Sequence, residues 1–341
     1  MDLYDVIIVG AGPAGLKCAE VLGGSPLRVL LLEKNEKIGP KICAGGLTGK
    51  DVAYLNLPEE LIEFRHNKIH LHVQGFKSTV KADYDFAFSI DREKLGQWQL
   101  KKLSPFKNVE VRTKARVSAI TENHVTVNGE TIAYKYLVGA DGSNSLVKRF
   151  AGLKTPAQGV GIQYIIPTDK YSDFEFFFIP KYFSAWYSWI FPHRGYVSIG
   201  CGCTPEILSL KKLHRNFHTW LKKNKIDVSA GKYEVFPMNC DYYGSHFGNV
   251  FLTGDAAGLL SSFTGEGIYQ ALISGEEAAK TILDPTYESK KMPEIIRKHN
   301  RHRQLIDLLI RWGRWKSLLF LGGMLLFKIP KYKQRAIAQF G

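Results

Sequence analysis

The chain opens on an apolar run without alternation, Asp5-Val6-Ile7-Ile8-Val9, which predicts a strand buried on both faces, as in a parallel sheet. Gly10-Ala11-Gly12-Pro13-Ala14-Gly15 follows at once, Leu16 to Leu22 has helical character, and Arg28-Val29-Leu30-Leu31-Leu32 forms a second apolar strand ending in Glu33. Two later strand patterns end in turns, Tyr136 to Val138 in Gly139-Ala140-Asp141-Gly142-Ser143 and Val250 to Leu252 in Thr253-Gly254-Asp255. Lys68 to Ala82 is strand-like, and Glu93 to Leu103 is helical. From Phe174 to Phe191 the chain carries ten aromatics, among them Tyr187, Trp189 and Phe191 at period two, which a strand places on one face.

The glycines of the first turn have a chemical reading. Gly10, Gly12 and Gly15, with Ala14 between, stand as G-x-G-x-x-G between strand and helix, and Glu33 lies 23 residues after Gly10. Such glycines let the backbone approach a pyrophosphate, the helix start stabilises its charge, and the acid accepts hydrogen bonds from a ribose hydroxyl. No second unit of this kind is found: Gly200-Cys201-Gly202-Cys203-Thr204 ends a strand but runs into Pro205. With no C-x-x-C pair either, the pattern argues against a disulfide-reductase type of enzyme.

The Asp141-Gly142 and Gly254-Asp255 segments resemble the flavin-binding signatures of the p-hydroxybenzoate hydroxylase superfamily. The resemblance implies FAD, with Asp141 and Asp255 as cofactor residues, Asp255 on the ribityl hydroxyls, and Gly265, Gly267 and Ile268 at the isoalloxazine. Asp91-Arg92 resembles that superfamily's flavin-contacting arginine, which adds Arg92. Tyr187-Ser188-Trp189-Ile190-Phe191-Pro192, then Gly200-Cys201-Gly202 after seven residues, fits the Y-x-W-x-F-P…G-x-G pattern of the geranylgeranyl reductase family, flavoproteins that saturate prenyl chains. Lys41-Ile42-Cys43-Ala44-Gly45-Gly46 is similar to that family's cysteine loop beside the flavin. The resemblance covers residues 1 to 290 and implies an α/β fold: a Rossmann-like FAD domain with an inserted β-sheet substrate domain.

Ten aromatics within eighteen residues exceed what the inner face of one strand places in a core, so part of this surface is expected to line an elongated apolar pocket. Phe191, Pro192, Gly200 and Gly202 are its candidate substrate-binding residues. A trisubstituted alkene is not polarised, so its reduction calls for a proton at one carbon and hydride from reduced flavin at the other. Tyr187 and Trp189 are the candidates for stabilising cationic character. Cys43 either donates the proton, directly or through water, or shapes the pocket. His193 and Lys41 lie within the matched motifs without an assigned role, and no metal site is read.

Charge alters the picture at one end. Of the net +14, residues 290 to 341 carry +11, with thirteen Lys/Arg against Glu294 and Asp307. Apolar positions from Met292 to Trp315 and from Leu318 to Phe327, with interfacial Trp, read as a basic amphipathic helical tail lying on an anionic membrane. No nucleic-acid motif accompanies it, and its apolar stretch is too short to span a bilayer. The five cysteines suit a reducing compartment, and the N-terminus shows no export signal, so the expected location is cytoplasmic and peripherally membrane-associated.

The expected organisation is 1–60, 85–155 and 245–289 for the FAD domain, 61–84 and 156–244 for the substrate domain, and 290–341 for the tail. The expected activity is FAD-dependent reduction of C=C bonds in an isoprenoid lipid. The electron donor stays open between NAD(P)H, a quinol and a donor protein such as reduced ferredoxin. Two alternatives stand beside it. One is a flavin monooxygenase or halogenase, because Tyr187 to Pro192 also resembles the W-x-W-x-I-P segment of halogenases, from which Tyr187 and Phe191 depart. The other is a non-enzymatic prenyl-binding protein, against which intact Glu33, Arg92 and Asp255 count.

Overall fold

The computed structural model describes residues 3–155 and 159–340, without the side chains of residues 314, 335, 336 and 338–340. These residues group into two compact units, the first from residues 1–41, 92–158 and 238–302, the second from 42–91, 159–237 and 303–341.

The first unit is built on the strand Leu3–Val9, whose residues 6–8 are fully buried, as the uninterrupted apolar run demands. It pairs in parallel with Val29–Leu32 on one side and Glu130–Gly139 on the other. Val109–Arg112 and Val250–Leu252 extend the parallel set outwards. His246–Phe247 adds an antiparallel edge, and Val117–Ile120 with His124–Val127 form an antiparallel extension from Glu130–Gly139. The helices Pro13–Leu22 and Ile268–Leu283 cross so closely that a Cβ on Gly275 would lie 2.2 Å from the Ala14 carbonyl oxygen. It is the missing side chain of Gly275 that lets the second helix approach the backbone of Ala14 in the turn.

The second unit holds a seven-stranded sheet in the order Lys232–Met238, Gly159–Ile166, Tyr196–Cys203, Ser188–His193, Phe174–Phe178, Lys68–Val73, Phe76–Lys81. A separate three-stranded sheet pairs Gly46–Thr48 and Ile62–His66 with Ala87–Ile90. Those pairings decide the unit boundaries. Residues 42–60 and 85–91, assigned from sequence to the FAD domain, group with the second unit because their strands find hydrogen-bond partners there. Residues 156–158, at the expected start of the substrate domain, lie outside the described residues.

Nor is 290–341 a separate tail. The helix Lys291–Arg311 belongs to the first unit up to His302, where Met292, Ile295 and His299 are buried. The helices Lys316–Leu326 and Pro330–Phe340 belong to the second unit, where Phe327 and Ile337 pack with Phe174 and Phe176. The amphipathic periodicity is real, and part of its apolar stripe packs against the protein, while Trp312, Trp315, Leu318, Leu325 and Ile329 stay exposed.

Candidate cofactor site and cysteine loop

The glycine turn of the first unit is shaped by close contact. Gly10 has φ +102°, and a Cβ there would lie 2.4 Å from the Ala140 carbonyl oxygen; one on Gly15 would lie 2.0 Å from the Gly10 oxygen. Gly12, by contrast, has nothing within 4 Å of its would-be Cβ and stands at the N-terminus of Pro13–Leu22, which no side chain caps. An open glycine before an uncapped helix start is what a pyrophosphate requires. Glu33 is buried, and its two oxygens accept from the Ala11 and Asn35 amides, each at 2.9 Å. The carboxylate is therefore fixed against the turn, with lone pairs left for a ribose hydroxyl.

Two buried polar atoms point the same way. Arg92 Nε and Asp141 Oδ1 are buried without a hydrogen-bond partner among the described residues. The other oxygen of Asp141 accepts from the amides of Leu146 and Val147 and so caps the helix Leu146–Phe150. Burial pushes the Asp141 carboxyl above the usual range, against the pull of those hydrogen bonds. An orphaned guanidinium nitrogen and a half-used carboxylate are expected of residues whose partner is a ligand.

Asp255, at the start of the short helix Gly254–Ala257, has neighbours to which sequence reasoning gave no role. Lys41 Nζ lies 2.8 Å from its Oδ2, Ser143 Oγ donates to the same oxygen at 3.5 Å, and Asn239 Nδ2 donates to its backbone oxygen at 2.9 Å. Ser143 could have been found, since it completes the Asp141-Gly142-Ser143 turn; Asn239 carried no signal. Gly265, with φ +70°, and Gly267 lead into the helix Ile268–Leu283, whose start no side chain caps. The sixteen-residue helix thus presents its N-terminal amides and the positive end of its dipole to a partner with negative charge.

In the second unit, Tyr187, Trp189 and Phe191 do share a face: neighbouring rings stand 6.3 and 6.5 Å apart. Trp189 is opposite Gly200 on the next strand, and a Cβ at Gly200 would lie 2.3 Å from Trp189 Cζ2. Gly200 is therefore the space that the indole occupies, and Pro192 is buried. The ten aromatics divide between two faces. Phe174 and Phe176 pack towards Phe191, whereas Phe177 stacks on His72 and meets Trp220 on the other side. Six of the ten are buried, and Phe178, Tyr182, Tyr187 and Phe191 stay half-buried. Gly202, opposite Gly161, lies in the same strand as Gly200.

A hydrogen-bond chain connects this wall to the cysteine loop. Trp189 Nε1 donates to Ser198 Oγ at 3.1 Å, Ser198 Oγ donates to Gln163 Oε1 at 3.2 Å, and Gln163 Nε2 donates to the Cys43 carbonyl oxygen at 3.3 Å. The Cys43 thiol is half-buried and accepts from the Gly45 amide at 3.4 Å. By contrast Cys201 and Cys203 are buried and their thiols pushed up by desolvation, which makes them packing residues.

A parallel sheet with this turn, this acid and these unpartnered polar atoms defines an FAD-dependent oxidoreductase. Residues 90–281 match the FAD binding domain family and residues 4–172 match pyridine nucleotide-disulphide oxidoreductase. The first match spans more than half of the chain, which belongs to the FAD binding domain family. Digeranylgeranylglycerophospholipid reductase of Methanocaldococcus jannaschii is 27% identical over 321 residues, covering 87% of this chain and 82% of that protein. Geranylgeranyl diphosphate reductase of Rhodobacter capsulatus is 25% identical over 299 residues, covering 82% and 75%. Among solved structures, a geranylgeranyl bacteriochlorophyll reductase-like protein from Thermoplasma acidophilum superposes with a TM-score of 0.78 at 21% identity, covering 100% of both chains. A flavin-dependent brominase shares the fold, with a TM-score of 0.75 at 17% identity over 99% of this chain and 93% of the other.

Proposed function

We propose that this oxidoreductase saturates C=C bonds of a geranylgeranyl-type chain on a membrane lipid or related prenyl compound. The observation that carries the reading is the hydrogen-bond chain from Trp189 through Ser198 and Gln163 to the Cys43 carbonyl oxygen, which ties an aromatic wall to the backbone of the residue that bears a half-buried thiol. FAD, when bound and reduced, would be the source of hydride for one alkene carbon. The Cys43 thiol supplies the proton to the other, directly or through water, and the amide of Gly45 stabilises the thiolate left behind. Tyr187 and Trp189 stabilise the cationic character that protonation creates, and Phe191 contributes to the apolar wall. Each CH₂ of a chain buried there adds about 0.8 kcal/mol to binding. Gly10, Gly12, Gly15 and Glu33 would hold the pyrophosphate and ribose, Asp255 the ribityl chain, and Arg92 and the start of Ile268–Leu283 the flavin ring. Lys41, which pairs with Asp255, precedes Cys43 by two residues.

The lipid comes from a membrane surface in this reading. No helix among the described residues is long and apolar enough to cross a membrane. Trp312, Trp315, Leu318, Leu325 and Ile329 are nevertheless exposed, Lys328 and Lys331 with them, and no acidic residue follows Asp307. Exposed tryptophans among unopposed cations suit the headgroup region of an anionic bilayer.

The test is mass spectrometry of geranylgeranyl lipids in vesicles after anaerobic incubation with the chemically reduced holoenzyme. A gain of two hydrogens per bond, with reoxidation of the flavin, is expected. Unchanged lipid at normal flavin content refutes the proposal and leaves the oxygen-dependent reading, for which the assay is repeated in air.

A further inference from the structure

Two consecutive carbonyl oxygens of the cysteine loop are each held by a buried side chain. Gln163 takes that of Cys43. The next, Ala44, lies 2.9 Å from His193 Nε2, while His193 Nδ1 lies 2.6 Å from Glu63 Oε2. The two side chains are only 1% and 7% exposed. A carbonyl oxygen can only accept, so Nε2 must carry a hydrogen; the Nδ1 contact needs another, on the ring or on the carboxyl. The pair therefore holds two protons, and a ring protonated at Nδ1 alone would set a lone pair against the Ala44 oxygen.

The ring is seated against the loop itself. Gly45 has φ +76°, and a Cβ there would lie 2.4 Å from His193 Cε1. On the other side the imidazole stacks on Tyr196, centroids 4.4 Å apart and planes 3° from parallel. The remaining polar groups around it are already engaged or neutral. Arg194 donates to the Glu63 and Ile62 carbonyls, and burial lowers His66 to about 4. Burial also raises the Tyr196 hydroxyl.

We propose that Glu63 and His193 are positioning residues for Cys43. The two-proton pair donates to the Ala44 carbonyl and so fixes the peptide between Ala44 and Gly45, while Gln163 fixes the preceding one through the Cys43 carbonyl; together they keep the Gly45 amide on the Cys43 sulfur. The inference rests on the reading of Cys43 as the thiol of the reaction. Fixing the loop costs no reorganisation when the thiol gives up its proton.

The experiment combines ¹⁵N NMR of the histidine rings in the wild-type holoprotein with hydrogen exchange of the peptide spanning residues 41–48. A slowly exchanging proton on His193 Nε2 is expected. His193→Phe keeps a flat ring on Tyr196 but cannot donate, and exchange in that peptide should quicken about tenfold while the other peptides of the unit stay unchanged. Glu63→Gln preserves the clamp, because its amide donates to Nδ1 and leaves the Nε2 hydrogen for Ala44; exchange should match the wild type. At equal flavin content, kcat for prenyl reduction should fall about tenfold in His193→Phe with KM unchanged.

A ring protonated at Nδ1 alone overturns the proposal. So does unchanged exchange in folded His193→Phe, a uniform quickening across the unit, or an unchanged kcat despite a loosened loop. Should His193→Phe not fold, the NMR result and Glu63→Gln decide. Wild-type turnover by Cys43→Ser would instead remove the reading of Cys43, while the NMR and exchange results on the clamp stand.

Discussion

Gly200→Ala is the substitution whose effect follows most directly from the geometry. A Cβ at this position would lie 2.3 Å from Trp189 Cζ2, 2.7 Å from Trp189 Cε2 and 2.6 Å from the Ile162 carbonyl oxygen. Ordinary contacts between carbon atoms are about 3.5 to 4.0 Å, so atoms must move by more than 1 Å. The backbone oxygen cannot yield without disturbing the pairing of Gly159–Ile166 with Tyr196–Cys203, so the indole has to move. Its Nε1 is anchored to Ser198 Oγ, and moving it breaks the first bond of the chain to Cys43. Overpacking costs about 1 to 3 kcal/mol, and a lost buried hydrogen bond adds about 1 kcal/mol. For a unit of this size, a loss of about 2 to 4 kcal/mol lowers Tm by about 4 to 16 °C. Calorimetry of the purified holoprotein checks this, together with tryptophan fluorescence for the displaced indole. A Tm within 2 °C of the wild type, with unaltered emission, would sink the argument that Gly200 exists to seat Trp189.

Three further predictions concern other parts of the molecule. Asp255→Ala removes the carboxylate that Lys41 and Ser143 face, and the purified protein should be colourless; Lys41→Ala breaks a half-exposed pair worth at most about 1 kcal/mol and should keep its flavin. Absorbance ratios at 450 and 280 nm measure both, and wild-type occupancy in Asp255→Ala removes that residue from the site. Burial lowers His66 and His302 to about 4, so the unfolded chain binds more protons below about pH 6.5; stability is complete above that pH and falls towards pH 4, by up to about 1.4 kcal/mol per pH unit for each histidine. Tm should drop across that window, less steeply in His302→Gln, whose wild-type ring shares a hydrogen with Ser261 at 2.7 Å; a Tm independent of pH there contradicts the reasoning. Replacing Trp312 and Trp315 by Ser should weaken co-sedimentation with anionic vesicles about tenfold or more, and equal binding to neutral and anionic vesicles would exclude the proposed role of the basic surface.

Several features were legible because they are local. The unalternating run at 6–9, the spacing of Gly10, Gly12 and Gly15, and Glu33 at the end of the second strand describe one strand-turn-helix-strand unit, whose stereochemistry is set by neighbours in the chain. Period two at Tyr187, Trp189 and Phe191 likewise put three rings on one face before any partner strand was known. What surrounds those residues depends on pairings across long separations. Whether Cys43 stands beside a clamp depended on Gln163 and His193, which arrive 120 and 150 residues later on two strands of another sheet. The missed partners of Asp255, the sharing of aromatics between two faces and the packing of the C-terminal helices arise in the same way. Periodicity tells which side of an element seeks cover, because that depends only on backbone geometry. What covers it is settled when non-local strands pair and buried polar groups compete for partners, and only the tertiary structure decides that.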